Sequence, residues 1–176
     1  MSQSQVERVP PHLAASAEEL TVTDFEQSLI CAAEAFYRCI GLLLGPAARE
    51  HRLSGEDNVI LQQLMASPHP RNLTDLARFA NRDDTANIQY SLRKLITAQL
   101  VEKAPGSTNR DSRYQVTARG RALTEEFLAR RRALVMEPAR QMRDADTHLQ
   151  AAIRALNMMA GIYDQGTRSI TAREDR

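Results

Sequence analysis

The sequence predicts a mainly α-helical fold with one small antiparallel β-hairpin in its middle and a long pairing helix towards either end. Three observations predict it. Apolar residues recur every three and four positions over one stretch near the N-terminus and another near the C-terminus. Shorter stretches between them also keep a helical period. At Leu100 the period changes to alternation, and it does so again at Tyr114, after a loop rich in turn-forming residues.

Residues 1–17, rich in Ser and Gln and holding Pro10-Pro11, read as a flexible tail. Residues 18–45 read as a helix. Val22, Phe25, Leu29, Ala32, Phe36, Cys39 and Leu43 are spaced alternately by 3 and 4, the seam along which two helices pack lengthwise. Gly45-Pro46 ends it. The last helix repeats the device within residues 121–166: Met142, Ala145, Leu149, Ala152, Leu156, Met159 and Tyr163 follow the same spacing. Leu123, Phe127, Leu128, Leu134 and Val135 mark a preceding helix that Pro138 breaks or kinks. Gly166 is expected to end the last helix, leaving 167–176 as a charged tail.

Residues 47–120 form the central unit. Ser54 can cap a helix whose buried side is Val59, Ile60, Leu61, Leu64 and Met65, and Asp57, three residues after the cap, comes close to a capping box. Pro68 and Pro70 bound that helix. A short helix spans about 73–80, a turn follows at Asn81-Arg82-Asp83-Asp84, and Asp83 or Asp84 can cap the next helix, which runs to about Ala98. Ile88, Leu92, Leu95 and Ile96 form its buried stripe. Thr85, Asn87, Gln89, Tyr90, Arg93 and Lys94 lie off that stripe and are left outside. Leu100–Lys103 and Tyr114–Thr117 alternate around the turn-like segment 104–110, which makes the hairpin.

The chain has 176 residues and a net charge of +1, so overall charge names no partner. Its distribution is more informative. Between Arg71 and Arg121 there are ten Arg and Lys against five Asp and Glu, which leaves the remainder at about −4. A basic middle between acidic flanks is the footprint of a domain that meets phosphates. The apolar runs are too short for a membrane span, and residues 1–9 lack the basic-then-apolar order of a signal peptide, so a cytoplasmic protein without membrane contact is expected.

Helix, helix, turn, helix and hairpin, in that order, make a winged helix-turn-helix. The DNA major groove is about 12 Å wide and admits a single helix, buried on one side and polar on the other. Asn87 and Gln89 can pair with adenine edges, and Arg93 and Lys94 can reach phosphates. Arg110, Asp111 and Arg113 sit at the hairpin tip and return strand, where an Arg can enter the minor groove. Two plainer readings stand beside this one: a surface helix with an ordinary polar face, and a hairpin whose charges prevent edge pairing.

Residues 53–123 resemble the core of the MarR family of transcription regulators. Leu53-Ser54 with its apolar helix, Leu73-Thr74-Asp75-Leu76-Ala77, and Asn87 to Leu95 running into Leu100-Val101-Glu102 resemble successive elements of that core. Asp111-Ser112-Arg113 matches the family's Asp-x-Arg wing signature, and Val116-Thr117-Ala118-Arg119-Gly120 its continuation into a long helix. The resemblance implies a homodimer formed by N- and C-terminal dimerisation helices, bound to double-stranded DNA at a pseudo-palindromic operator. It implies that Arg113 enters the minor groove and Asp111 orients it, while the exposed helix residues read the major groove. Two departures stand out: Gln99 occupies a position where Gly is usual, and the turn 81–84 is one residue longer than the common pattern. Members of the family often hold a small-molecule effector between the two layers. Phe36, Tyr37 and His51 fall near such a place, but core and cap roles account for them better, and no ligand site is assigned.

Some members sense oxidants through a first-helix cysteine, and Cys31 and Cys39 both lie there. Eight residues apart, they are separated by about 12 Å of helix and cannot bond to each other within it. Cys39 falls on the apolar seam and Cys31 lacks a basic neighbour, so both are expected to be buried and inert. The four histidines show no metal-ligand spacing, and no phosphate loop, nucleophile elbow or catalytic carboxylate pair is present. Neither a metal, a cofactor nor an enzymatic activity is expected. The alternatives are a winged helix used for protein contacts and a redox-sensing regulator acting through Cys31 and Cys39.

Overall fold

A computed structural model describes residues 14–80, 85–108 and 112–174. The chain divides into two compact units, residues 1–129 and residues 130–176.

In the first unit, α1 (Ala17–Leu42) starts at Ser16, whose hydroxyl accepts the Glu19 N–H. A short α2 (Pro46–His51), absent from the sequence reading, is set between two left-handed residues, Gly45 (φ 71°) and Arg52 (φ 52°). The next helix, α3 (Gly55–Met65), has the full capping box at Ser54 and Asp57. It crosses α1 at very short range. A methyl group on Gly55 would stand 2.1 Å from the Tyr37 carbonyl oxygen, and one on Gly41 would stand 2.9 Å from the Gly55 nitrogen. Both positions therefore exclude any side chain. The buried Asn58 amide donates to the Ile40 carbonyl (2.9 Å) and fixes the crossing in register.

A two-residue strand, β1 (Arg71–Asn72), leads into α4 (Leu73–Ala80). Asn72 and Asp75 cap each other reciprocally, the Asp75 N–H donating to Asn72 Oδ1 (2.8 Å) and the Asn72 N–H to Asp75 Oδ2 (3.2 Å). Then come α5 (Thr85–Thr97), β2 (Val101–Lys103), β3 (Arg113–Val116) and α6 (Ala118–Arg131). The sheet is antiparallel in the order β1-β3-β2, so the expected hairpin gains a third strand, with Arg71 opposite Tyr114 and Val101 opposite Val116. Pro105-Gly106 forms a type II turn: Ser107 N–H bonds the Ala104 carbonyl (3.2 Å) and Gly106 takes φ 78°.

The connection from α5 into the hairpin explains the departure at Gln99. The Leu100 N–H bonds the Leu95 carbonyl and the Gln99 N–H bonds the Ile96 carbonyl, both at 2.9 Å, and Gln99 takes φ 58°. This is a Schellman stop, completed by the buried pair Leu95 and Leu100. Its left-handed position favours Gly, and this chain fills it with Gln. On the far side of the hairpin, Thr117 caps α6: its hydroxyl accepts the Gly120 N–H (3.0 Å) and donates to the Gln99 carbonyl (2.8 Å). A methyl group on Gly120 would stand 2.2 Å from the Leu100 carbonyl oxygen. The Thr-x-x-Gly pattern is therefore one joint, a cap and a close approach together. The core around it comprises Leu44, Leu61, Leu76, Ile88, Leu92, Leu95, Leu100, Val101 and Phe127, all buried.

In the second unit the break expected at Pro138 is spread over a longer stretch. Residues Arg132–Met136 make a π-helical turn in which the Glu137 N–H bonds the Arg132 carbonyl, five residues back. A one-turn α7 (Glu137–Arg140) carries Pro138 in its first turn, where no N–H is needed. After a turn ending at Asp144 (φ 54°), α8 runs Ala145–Glu174. Two expectations fail here. Met142 lies in the turn, outside the helix, and Gly166 does not end the helix. Gly161 and Gly166 both sit inside α8 facing open space, each at a cost of up to about 1 kcal/mol that the helix tolerates.

Two substitutions test the joint. Gln99→Gly should raise the unfolding free energy by up to about 1 kcal/mol by relieving the left-handed backbone. Gly120→Ala should lower it by about 1–3 kcal/mol through the clash with the Leu100 carbonyl. Urea denaturation of the three proteins measures both, and a stabilising Gly120→Ala would contradict the joint.

Candidate DNA interface

The α5 helix is amphipathic in the sense a groove-binding helix requires. Ile88, Ser91, Leu92 and Leu95 are buried, whereas Thr85, Asn87, Gln89, Tyr90 and Arg93 are exposed. Ile96, expected in the buried stripe, is partly open at 37%. The polar face is thus presented by a helix anchored along its other side.

Lys94 departs from expectation. Its ammonium pairs with the buried Asp57 carboxylate, in a very short contact, and lies 5.5 Å from the centre of the Tyr90 ring. It therefore points inward instead of extending towards solvent phosphates. The cause is Asp57, whose Oδ2 also accepts the Ser54 N–H (2.6 Å) and hydroxyl (3.0 Å). A carboxylate with 1% of its side chain exposed needs a counter-charge, and Lys94 is placed to supply it. Local sequence pattern reveals the cap and not the pair, because the two residues are 37 positions apart.

Arg113 is exposed at the start of β3, opposite Asn72 of β1. Its backbone is fixed on three sides: its N–H donates to the Ser107 hydroxyl (3.2 Å), and its carbonyl accepts the Ala104 N–H (2.8 Å) and the Ser107 hydroxyl (3.4 Å). Rung bonding continues to Gln115, whose amide donates to Glu102 across the hairpin (2.8 Å). Arg110 and Asp111, and the proposed caps Asp83 and Asp84, lie outside the described residues.

Cys31 and Cys39 are both exposed, so the expectation that they are buried is corrected. The seam of α1 is open on the side where Cys39 lies, with Phe36 54% exposed. A cavity of about 490 Å³ lies between α1, α2 and α3, with Tyr37, Arg38, Leu42 and Arg49 in its lining; Phe36 and His51 are not part of it. Among the described residues no cluster of three or more His, Cys, Asp or Glu is arranged to hold a metal ion, and no helix is long and apolar enough to cross a membrane.

Residues 53–120 match the family of winged helix DNA-binding domains. This is the stretch from the α3 cap to the close approach at Gly120. Over about four fifths of its length the chain is similar in fold to MarR family transcription regulators. Staphylococcus aureus MarR in complex with salicylate and kanamycin is similar at 18% identity, with a TM-score of 0.62 over 83% of this chain and 94% of that one. A MarR family regulator from Streptomyces coelicolor is similar at 15% identity and a TM-score of 0.63, over 80% of this chain and 96% of its own. The M. tuberculosis regulator MOSR in complex with DNA is similar at 19% identity and a TM-score of 0.58, over 77% and 95%. No curated protein matches in sequence.

The Asp57–Lys94 pair should show strong coupling. In a double-mutant cycle with Asp57→Ala and Lys94→Ala, each single change should destabilise the fold, with a coupling energy of about 1–3 kcal/mol. Chemical denaturation of the four proteins gives the value, and additive losses would show the pair to be incidental.

Proposed function

We propose that the chain is a DNA-binding transcription regulator that acts as a homodimer on a pseudo-palindromic operator. One observation carries the DNA reading: a single core presents both the polar face of α5 and the Arg113 end of β3. In this reading Thr85, Asn87, Gln89 and Tyr90 meet base edges and sugars of the major groove, and Arg93 meets phosphate. Arg113 enters the minor groove with Arg110 beside it, and Asp111 orients Arg113. Lys94 contributes by holding α5 on α3. A two-fold dimer then sets half-site centres about 10 bp apart, or a multiple of that.

Support for the dimer comes from the seams. Leu149, Ile153, Leu156 and Tyr163 of α8 are exposed, as are Val22 and Phe36 of α1. Apolar surface on this scale is rarely left to water, and a second copy covers it with identical seams. An effector reading has its own observation, the cavity of about 490 Å³ with Tyr37 and Leu42 in its wall and Arg38 and Arg49 balanced by Glu34 and Glu56, which suits a small aromatic molecule with polar groups. The salicylate complex of the S. aureus neighbour is in keeping with that chemistry.

Binding measured against log[salt], on selected operator and on scrambled duplex, tests the assignment. Arg113→Ala should weaken both and lower the salt slope by about one unit. Asn87→Ala or Gln89→Ala should relax preference at particular bases by roughly 1–3 kcal/mol, leaving the slope unchanged. Equal effects of all three variants on both duplexes would contradict major-groove readout by α5.

Sedimentation tests the dimer separately. The wild type should run as a dimer, and Leu149→Glu combined with Leu156→Glu should run as a monomer that keeps its helix content. A monomeric wild type that binds operator would overturn the seam assignment.

A further inference from the structure

A second cavity, of about 390 Å³, opens beside β1 and the start of β3 in the first unit. It lies between the α3–β1 loop, α4 and the start of β3. Among the described residues its wall holds Arg71, Arg78, Arg113 and His69, with Asp75 as the one acid. With His neutral, these side chains sum to a charge of +2. Asp75 also serves the α4 cap, its Oδ2 accepting the Asn72 N–H (3.2 Å).

Arg71 is the informative residue. Its guanidinium carbon stands 4.7 Å from the centre of the Phe79 ring, so the group is held against that ring. Its Nε is shut off from solvent with no hydrogen-bond acceptor among the described residues. A buried donor without an acceptor is rare in folded proteins and marks a place for a missing partner. The planar guanidinium fork fits an oxyanion, and phosphate best uses several such donors at once. The cavity is larger than one bare phosphate, and Phe79, 62% exposed, adds an apolar surface that a sugar can rest on.

We infer that this cleft is a phosphate-ester site, with Arg71 and Arg78 gripping the phosphate and Phe79 supporting the attached sugar. The same chemistry has two sources, the phosphodiester backbone of bound DNA and a free phosphate ester. Arg113 links the cleft to the interface, since it lines the cavity and is also the residue assigned to the minor groove. The DNA source rests on the proposed function; the free-ester source does not.

The test uses the full chain and two variants. Arg78→Ala removes an exposed side chain on α4 and leaves the core intact, whereas Arg71→Gln removes the stacked guanidinium. The first measurement titrates inorganic phosphate against the Arg Nε–H resonances of the wild type, and Arg71 should shift and saturate. The second measures affinity for operator and scrambled duplex between 50 and 200 mM salt. For a backbone contact each variant should weaken both duplexes alike, with a salt dependence smaller by roughly 3.5-fold over that range, which is one phosphate contact. A saturating Arg71 resonance with unchanged duplex binding in both variants assigns the site to a free phosphate ester. A flat Arg71 resonance with unchanged duplex binding in both variants overturns the site. If the wild type binds no duplex, the proposed function fails and the phosphate titration alone decides the cleft, a flat resonance then overturning it.

Discussion

The buried carboxylate of Asp57 sets the position of α5, and with it the face that α5 presents outward. It closes the first turn of α3 by accepting from Ser54, and it takes the ammonium of Lys94 from the last turn of α5. An unpaired carboxylate at that depth would cost several kcal/mol, so α5 cannot slide or rotate on α3 without exposing or stranding a charge. Apolar contacts alone tolerate small slips of one helix on another. A single ion pair with capping bonds at one end does not. Asn58, the next residue, binds the Ile40 carbonyl of α1, so two adjacent side chains of α3 hold the helices on either side of it.

The second constraint is the joint that carries the hairpin. Its parts act only together: Gln99 in a left-handed conformation stops α5, Leu100 turns the chain into β2, Thr117 returns a hydroxyl bond to Gln99, and Gly120 lets α6 pass over Leu100. The hairpin is thereby tied to the end of α5 by backbone contacts at its base. Arg113 stands at the loop end of β3, with β1 on one side and the Ser107 hydroxyl on the other, so its backbone is held by the scaffold.

Most of the fold was legible in the sequence because it rests on local chemistry. The capping box at Ser54, the stripe of α5, the change of period at Leu100 and the Thr-x-x-Gly joint all act within a few residues of one another. What stayed hidden depends on distance or on brevity. The strand β1 has two residues and exists because β3 offers it an edge. The helix α2 has six and depends on left-handed residues at both ends, one of them an Arg that gives no warning. Lys94 was read as outward because helical period places it off the apolar stripe, and only the tertiary pairing with Asp57 turns it in. Gly166 was read as a stop because Gly usually marks one, but α8 has enough helix-forming residues beyond it to continue. The cleft at Arg71 brings residues of a loop, a helix and a strand together, and spacing alone does not reveal that.

The fate of Lys94 also changes how the basic middle of the chain should be understood. Counted along the sequence, residues 71–121 carry a surplus of five positive charges. One of these is neutralised by Asp57, which lies outside that span and so does not enter the count. The electrostatic weight of the surface therefore moves away from the last turn of α5 and towards the start of β3, where Arg71, Arg78 and Arg113 share one cleft. A helix whose exposed face is Thr85, Asn87, Gln89 and Tyr90 is suited to discriminate between bases. A cleft with three arginines is suited to hold a backbone. In the proposed reading, separating the two tasks in space lets affinity and sequence preference vary independently, because phosphate contacts position a protein on DNA while base contacts specify the site.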